Sequence, residues 1–148
     1  MRHAPRTSPV RLPHRRPGLL LGVAIGGAAG TGCRAALSSA FPAAGGWPWA
    51  TFAVNLSGAF ALGLLVHALA LLGPDDGRRR AARLVCGTGF LGGYTTYSTF
   101  MVESVHLAES DAWVGAASYD LASVIGGVLA AAAGMALAAL ASPPRGVS

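Results

Sequence analysis

The stretch Gly87-Thr88-Gly89-Phe90-Leu91-Gly92-Gly93-Tyr94-Thr95-Thr96-Tyr97-Ser98-Thr99-Phe100-Met101-Val102-Glu103 decides how this chain is read. It falls in the uncharged run Leu84 to Val102, 19 residues long, extendable to Leu107 if Glu103 and His106 lie near an interface. About 20 mostly apolar residues carry a helix across roughly 30 Å of hydrocarbon. Four glycines and five Ser or Thr hydroxyls are costly in a helix that only anchors. A glycine pair followed by Thr-Thr suits an unwound segment, which is tolerated at such depth only where it is buried in protein or lines a cavity. Carbonyls freed there are hard oxygen ligands for a small cation, with half-helix ends facing the break. For Gly92-Gly93 taken alone, a packing face is the simpler reading.

Three more apolar runs flank this one. Leu19 to Ala40 has 22 residues with only Arg34 charged, and ends at Phe41-Pro42, where proline stops a helix. Trp47 to Gly73 has 27 residues and no formal charge, opens on Trp47-Pro48-Trp49 and closes on the turn Gly73-Pro74-Asp75-Asp76-Gly77. Ala112 to Ala141 has 30 residues with only Asp120 charged, follows the capping candidates Ser110 and Asp111, and ends at Pro143-Pro144. The expectation is an all-α integral membrane protein with four transmembrane helices. Residues 1–18 form a basic cytoplasmic tail, 19–141 the membrane domain and 142–148 a second tail.

Composition agrees. Of 148 residues, 53% are apolar and 11% charged, against about 25% charged in a soluble domain, and the mean hydropathy is +0.51. All eleven basic residues are Arg. They lie outside the apolar runs except for Arg34, so the excess reads as membrane topology and not as a nucleic-acid surface. The 22-residue first run exceeds the 7–15 apolar residues of a secretory signal and carries an Arg, which excludes a signal peptide. With four crossings, Arg2, Arg6, Arg11, Arg15, Arg16, Arg78, Arg79, Arg80, Arg83 and Arg145 share one side and the other side has none. The positive-inside rule puts both tails in the cytoplasm of a multi-pass cell-membrane protein. Cys33 and Cys86 read as small packing residues. The pairs Gly22–Gly26, Gly26–Gly30 and Gly89–Gly93 read as close helix contacts, within the chain or across a dimer.

Several side chains are candidates for chemistry. Tyr97 and Phe100 share a helix face, as do Thr96, Thr99 and Glu103. Aromatic pairs usually pack, yet an aromatic ring has an electropositive edge. Edges beside hydroxyl donors solvate a small anion without the trap a fixed Arg would create. Asn55, on one face with Thr51 and Ala59, is either interhelical glue or an amide donor aimed into a pore. Arg34 and Asp120 are intramembrane ionisable groups. Arg34 lies far enough along its helix to snorkel to the outer interface, and Asp120, at the start of the third turn of its run, reads either as a functional group or as an interfacial one.

Together, Gly30-Thr31-Gly32-Cys33-Arg34, Asn55-Leu56-Ser57-Gly58 and Gly92 to Phe100 with Glu103 in register resemble the Fluc/CrcB fluoride channel family over about Gly18 to Ala141. The resemblance implies an antiparallel, dual-topology dimer of four-helix subunits, with the third helix broken near its middle at the Gly-Gly segment. It implies a structural, untransported Na⁺ held by the carbonyls of Gly92 and Thr95 from both subunits. Two narrow fluoride pathways would be lined by Asn55, Tyr97 and Phe100, with Tyr119 and Ser123 at pore-side polar positions. Tyr97 stands where the family usually has Phe, and adds a hydroxyl. Thr96, Ser98 and Thr99 are further donors on this route, and Arg34 and Glu103 further functional candidates.

Fluoride is small and strongly hydrated. A pore must replace its water with several short donor contacts while leaving each site weak enough to exit. Neutral Asn, Thr and Ser with aromatic edges meet both demands. No ATP, cofactor or catalytic-triad motif accompanies them, so the expectation is passive, non-enzymatic export of fluoride. A small four-helix drug/proton antiporter is the main rival, but needs a membrane carboxylate that helix one lacks, with Glu103 and Asp120 the only substitutes. A noncatalytic structural membrane protein leaves the polar third run unexplained. The ten-to-none Arg bias opposes insertion in both orientations, so an antiparallel dimer would pair this chain with an oppositely biased homologue.

Overall fold

A computed structural model describes residues 17–41, 46–110 and 112–141. The Arg-rich stretch 2–16, Arg145, Pro42, Asp111 and Pro143-Pro144 lie outside the described residues. Helices account for nearly all of the described chain, and no strand occurs among those residues. Helices α1 (Pro17–Ala40), α2 (Trp49–Leu71) and α6 (Trp113–Leu140) are each long and apolar enough to cross a membrane.

Local chemistry sets the ends. Pro17 opens α1, where its fixed φ and missing N–H suit a first helical position. The second run is shorter than the expected Trp47 to Gly73. Pro48 has non-helical backbone (φ −80°, ψ 66°), and Gly73 takes φ +122°, a value that excludes helix continuation and favours glycine. Ser110 does not cap α6, because its Oγ donates to Leu107 O at 2.9 Å and so closes the preceding helix.

The remaining crossing is assembled from pieces. Helix α3 (Gly77–Ala82) leads into a π-helix, π1 (Arg83–Leu91), then a single turn α4 (Gly92–Tyr94), and after residues 95–97 the helix α5 (Ser98–Glu109). None of these pieces spans a membrane alone. Gly92 and Gly93 are helical, and the backbone turns extended only at Thr95 (φ −77°, ψ 160°). The departure from helix thus lies beyond the glycine pair, at the Thr-Thr-Tyr segment.

Gly93 has a different job. A Cβ on Gly93 would stand 2.3 Å from Gly27 O, one on Gly30 2.0 Å from Phe90 O, and one on Gly26 2.6 Å from Val85 O. The Gly22-Gly26-Gly30 ladder is therefore spent inside the chain, bringing α1 onto π1 and α4. A second crossing of the same kind joins α2 to α6, where a Cβ on Gly63 would meet Ala131 O at 2.2 Å and one on Gly134 would meet Phe60 O at 2.1 Å. Lipid tails are as apolar as Leu, so helices in a membrane associate through close van der Waals contact, which small residues permit. Cys33 and Cys86 are free and exposed, and so lie outside these packed seams.

At the α2–α3 turn, Arg79 donates to Leu72 O and Pro74 O, both at 2.9 Å. Its charge thereby meets the negative end of the α2 dipole. Asp75 accepts from Arg83 at 2.7 Å and lies 3.8 Å from Arg80. The hydrogen bond to Arg83, reinforced by the charges of Arg83 and Arg80, holds the Asp75 carboxyl below its ordinary range.

Candidate functional site

The non-helical residues 95–97 are held by side chains, since unpaired backbone in an apolar setting is costly. Asn55 of α2 donates Nδ2–H to Thr96 O and accepts Thr96 N–H on Oδ1, each at 2.9 Å. One amide thus satisfies both backbone groups of one residue. Thr95 N–H and Thr95 Oγ1 both donate to Leu91 O at 2.9 Å, ending the first half of the crossing. Thr96 Oγ1 accepts the N–H of Thr99 at 3.2 Å and donates to Thr99 Oγ1 at 3.0 Å. The Thr96-x-x-Thr99 spacing is a hydroxyl cap that starts α5. Ser98 Oγ lies 3.4 Å from Thr96 Oγ1.

These bonds leave two carbonyls without their helical donors. In a continuous helix Thr96 N–H would bond Gly92 O and Thr99 N–H would bond Thr95 O. Here Asn55 takes the first and Thr96 Oγ1 the second. Gly93 O is used differently, accepting Arg34 Nε–H at 3.2 Å and Thr31 Oγ1–H at 3.4 Å. Arg34 thus commits its Nε–H to a carbonyl of the interrupted crossing.

Asn55, Thr95, Thr96, Tyr97, Phe100, Ser123 and Val124 line a cavity of about 320 Å³. Phe100 is buried, with its ring centroid 6.3 Å from that of Tyr97 and 5.0 Å from that of Tyr119. Tyr97 is 74% exposed and Tyr119 fully buried. Of the sequence candidates, Ser98, Thr99, Tyr119, Arg34, Gly92 and Glu103 do not line this cavity. Below it, Glu103 accepts two hydroxyls, Thr51 Oγ1–H on Oε1 and Tyr119 O–H on Oε2, each at 2.8 Å. That carboxylate ties α2, α5 and α6 together.

Four contributors escaped the sequence reading. Thr51 was legible only as a neighbour of Asn55 on one helix face; its partner Glu103 is 52 residues away. Ser104 donates to Asp120 Oδ2 at 2.9 Å. Ser57 and Tyr94 join hydroxyls at 3.0 Å. Nothing in local pattern announces such pairs.

Long apolar helices packed on glycine, with a cavity of neutral donors and aromatic rings beside a helix interruption, define an all-helical membrane protein of the channel or transporter kind. Residues 21–135 match the family described as CrcB-like protein, Camphor Resistance (CrcB), and the chain belongs to that family. It is 48% identical over 140 residues to the fluoride-specific ion channel FluC 2 of Leifsonia xyli subsp. xyli, covering 95% of this chain and 94% of that protein. It is 48% identical over 118 residues to FluC 1 of Cutibacterium acnes, covering 79% and 82%. It is 42% identical over 120 residues to FluC of Sphingopyxis alaskensis, covering 80% and 93%.

Proposed function

We propose that this chain is a subunit of a fluoride-selective channel that lets fluoride leave the cytoplasm passively. The observation that carries the reading is the 48% identity, over 95% of this chain, with a protein named as a fluoride-specific ion channel. The cavity chemistry agrees. A strongly hydrated anion needs short donors in place of water, and weak enough sites to leave. The Ser123 hydroxyl, which has no partner among the described residues, and the second N–H of the Asn55 amide, beside the electropositive ring edges of Tyr97 and Phe100, supply them without a fixed cation. The reading is of a conduit, not an enzyme. An antiporter would need a titrating carboxylate free to exchange its ligand; Glu103 does not offer one, because both its oxygens are occupied by hydroxyls.

The conducting unit, in this reading, is an antiparallel dimer in the cell membrane. Gly92, Tyr97 and Ser98 are exposed on the single chain, and polar, non-helical backbone at membrane depth requires a protein cover. A second four-helix subunit provides it. The freed carbonyls of Gly92 and Thr95 are a donor set of hard oxygens suited to Na⁺, and the pair from each subunit would hold it. When bound, Na⁺ would supply positive charge that stabilises carbonyls lacking amide donors. Arg78, Arg79, Arg80 and Arg83 favour a cytoplasmic α2–α3 loop and cytoplasmic tails, so the oppositely oriented partner is an oppositely biased homologue.

Fluoride efflux from liposomes containing the purified protein together with its co-expressed partner subunit, with chloride as control, tests the reading. Selective fluoride efflux supports it, and equal or absent fluoride and chloride efflux overturns it. Cysteine tags introduced at Arg78 and Glu109 and labelled from each side test the pairing. One-sided labelling of each tag, with efflux only when a homologue is co-expressed, is expected; two-sided labelling with efflux from this chain alone overturns the heterodimer.

A further inference from the structure

Two polar atoms in α6 are buried and have no hydrogen-bond partner among the described residues: Asp120 Oδ1 and Ser123 Oγ. The contrast with their neighbours is informative. Of the two carboxylates in this region, Glu103 has both oxygens engaged by hydroxyls at 2.8 Å, while Asp120 has only Oδ2 engaged, by Ser104 at 2.9 Å. Helical serines commonly return their proton to a carbonyl one turn back. Ser39, Ser57 and Ser118 do so, at 2.9, 2.7 and 2.8 Å. Ser123 does not. It lines the cavity with Asn55, Thr96, Tyr97 and Phe100, so its proton is uncommitted beside the space where an anion would pass.

Residues three apart on a helix are surface neighbours, with Cβ atoms about 5–6 Å apart. That separation is within reach of a serine hydroxyl and a carboxylate oxygen after side-chain rotation. Each orphaned atom has what the other needs: Asp120 Oδ1 is an acceptor without a donor, and Ser123 Oγ–H a donor without an acceptor. Leaving either buried and unpaired is costly.

We propose that the Ser123 hydroxyl is a shared donor, given to Asp120 Oδ1 when the cavity holds no anion and to fluoride when it does. Asp120 is then a positioning residue: it competes with the anion for one proton and shortens fluoride's stay beside Ser123. The inference rests on the fluoride reading above. It gives the site a built-in exit, since a departing fluoride leaves no unsatisfied donor behind. Residence at a pore site must be brief for throughput, and a competing internal acceptor keeps it so.

The test measures fluoride flux against fluoride concentration for the reconstituted channel with its partner subunit, in wild type, Asp120→Asn, Asp120→Ala, Ser123→Ala and the double variant Asp120→Ala/Ser123→Ala. Removing the competitor should lower the half-saturating fluoride concentration about tenfold, the size of a lost charged hydrogen bond, and lower the maximal flux. Asp120→Asn keeps an acceptor for Ser104 and turns an N–H toward Ser123, freeing the serine proton for fluoride, so it shifts the same way even if Asp120→Ala does not fold. In the Ser123→Ala background the Asp120 substitution should leave the half-saturating concentration unchanged. An equal shift in that background overturns the proposal, because charge alone would then explain it, and so does wild-type behaviour of both Asp120 variants. A wild-type channel that passes no fluoride overturns the fluoride reading instead, and this proposal with it.

Discussion

Asn55 and Thr96, 41 residues apart, exchange two hydrogen bonds of 2.9 Å, amide to peptide, in both directions. The side chain of one helix takes the place of the missing turn of another. This single pairing lets the chain leave helical geometry inside an apolar bundle, frees the Gly92 carbonyl, and puts the Asn55 amide on the cavity wall.

Asn55→Asp should abolish fluoride efflux while the protein still assembles. The substitution keeps an acceptor for Thr96 N–H but sets a carboxylate oxygen against Thr96 O, and puts negative charge on an anion route. Phe100→Ile should lower efflux less, by removing a ring edge from the cavity. Flux assays with chromatographic assembly as the control read both; full efflux in Asn55→Asp refutes the clamp.

Gly93→Ala should destabilise the folded protein by about 1–3 kcal/mol, typical of overpacking, because its Cβ would lie 2.3 Å from the backbone oxygen of Gly27. Gly32→Ala, on the same α1 but with nothing within 4 Å of the new Cβ, should be silent. Thermal melts in detergent distinguish them, and equal melting points would show that the α1 seam is loose.

Glu103→Ala should cost more than Glu103→Gln. The alanine leaves the hydroxyls of Thr51 and Tyr119 without an acceptor, at about 1–3 kcal/mol for each buried group, whereas the glutamine retains one carbonyl oxygen. Adding Tyr119→Phe to Glu103→Ala should recover part of the loss, since the orphaned hydroxyl is then gone. A melt series that shows no recovery argues against the bridge.

Asp75 should titrate below the ordinary carboxylate range, and Arg83→Ala should return it toward that range. The folded pKa is depressed by the Arg83 hydrogen bond, so the turn gains its stabilisation above the unfolded pKa and loses it as pH falls through the lower folded one. Carboxyl chemical shifts followed from neutral to acid pH read the shift directly.

What the sequence determined by itself follows from solvent. Runs of 22 and 27 apolar residues must become helices in hydrocarbon because every backbone group has to be bonded within its own segment, so the helical membrane class and three long spans were legible from length and charge. The identity of the polar site residues was legible too, since hydroxyls, an amide and glycines are conspicuous where only apolar groups are free of cost. Their connections were not. That Gly93 packs on Gly27 while Thr95 makes the turn, that Arg34 donates to Gly93 O, that Asn55 completes the backbone of Thr96, and that Glu103 collects hydroxyls from two other helices depend on which helix lies against which. Small residues recur along all the spans, so several pairings satisfy the pattern equally. Only close approach of backbones in three dimensions, with each freed donor or acceptor finding its nearest partner, selects one.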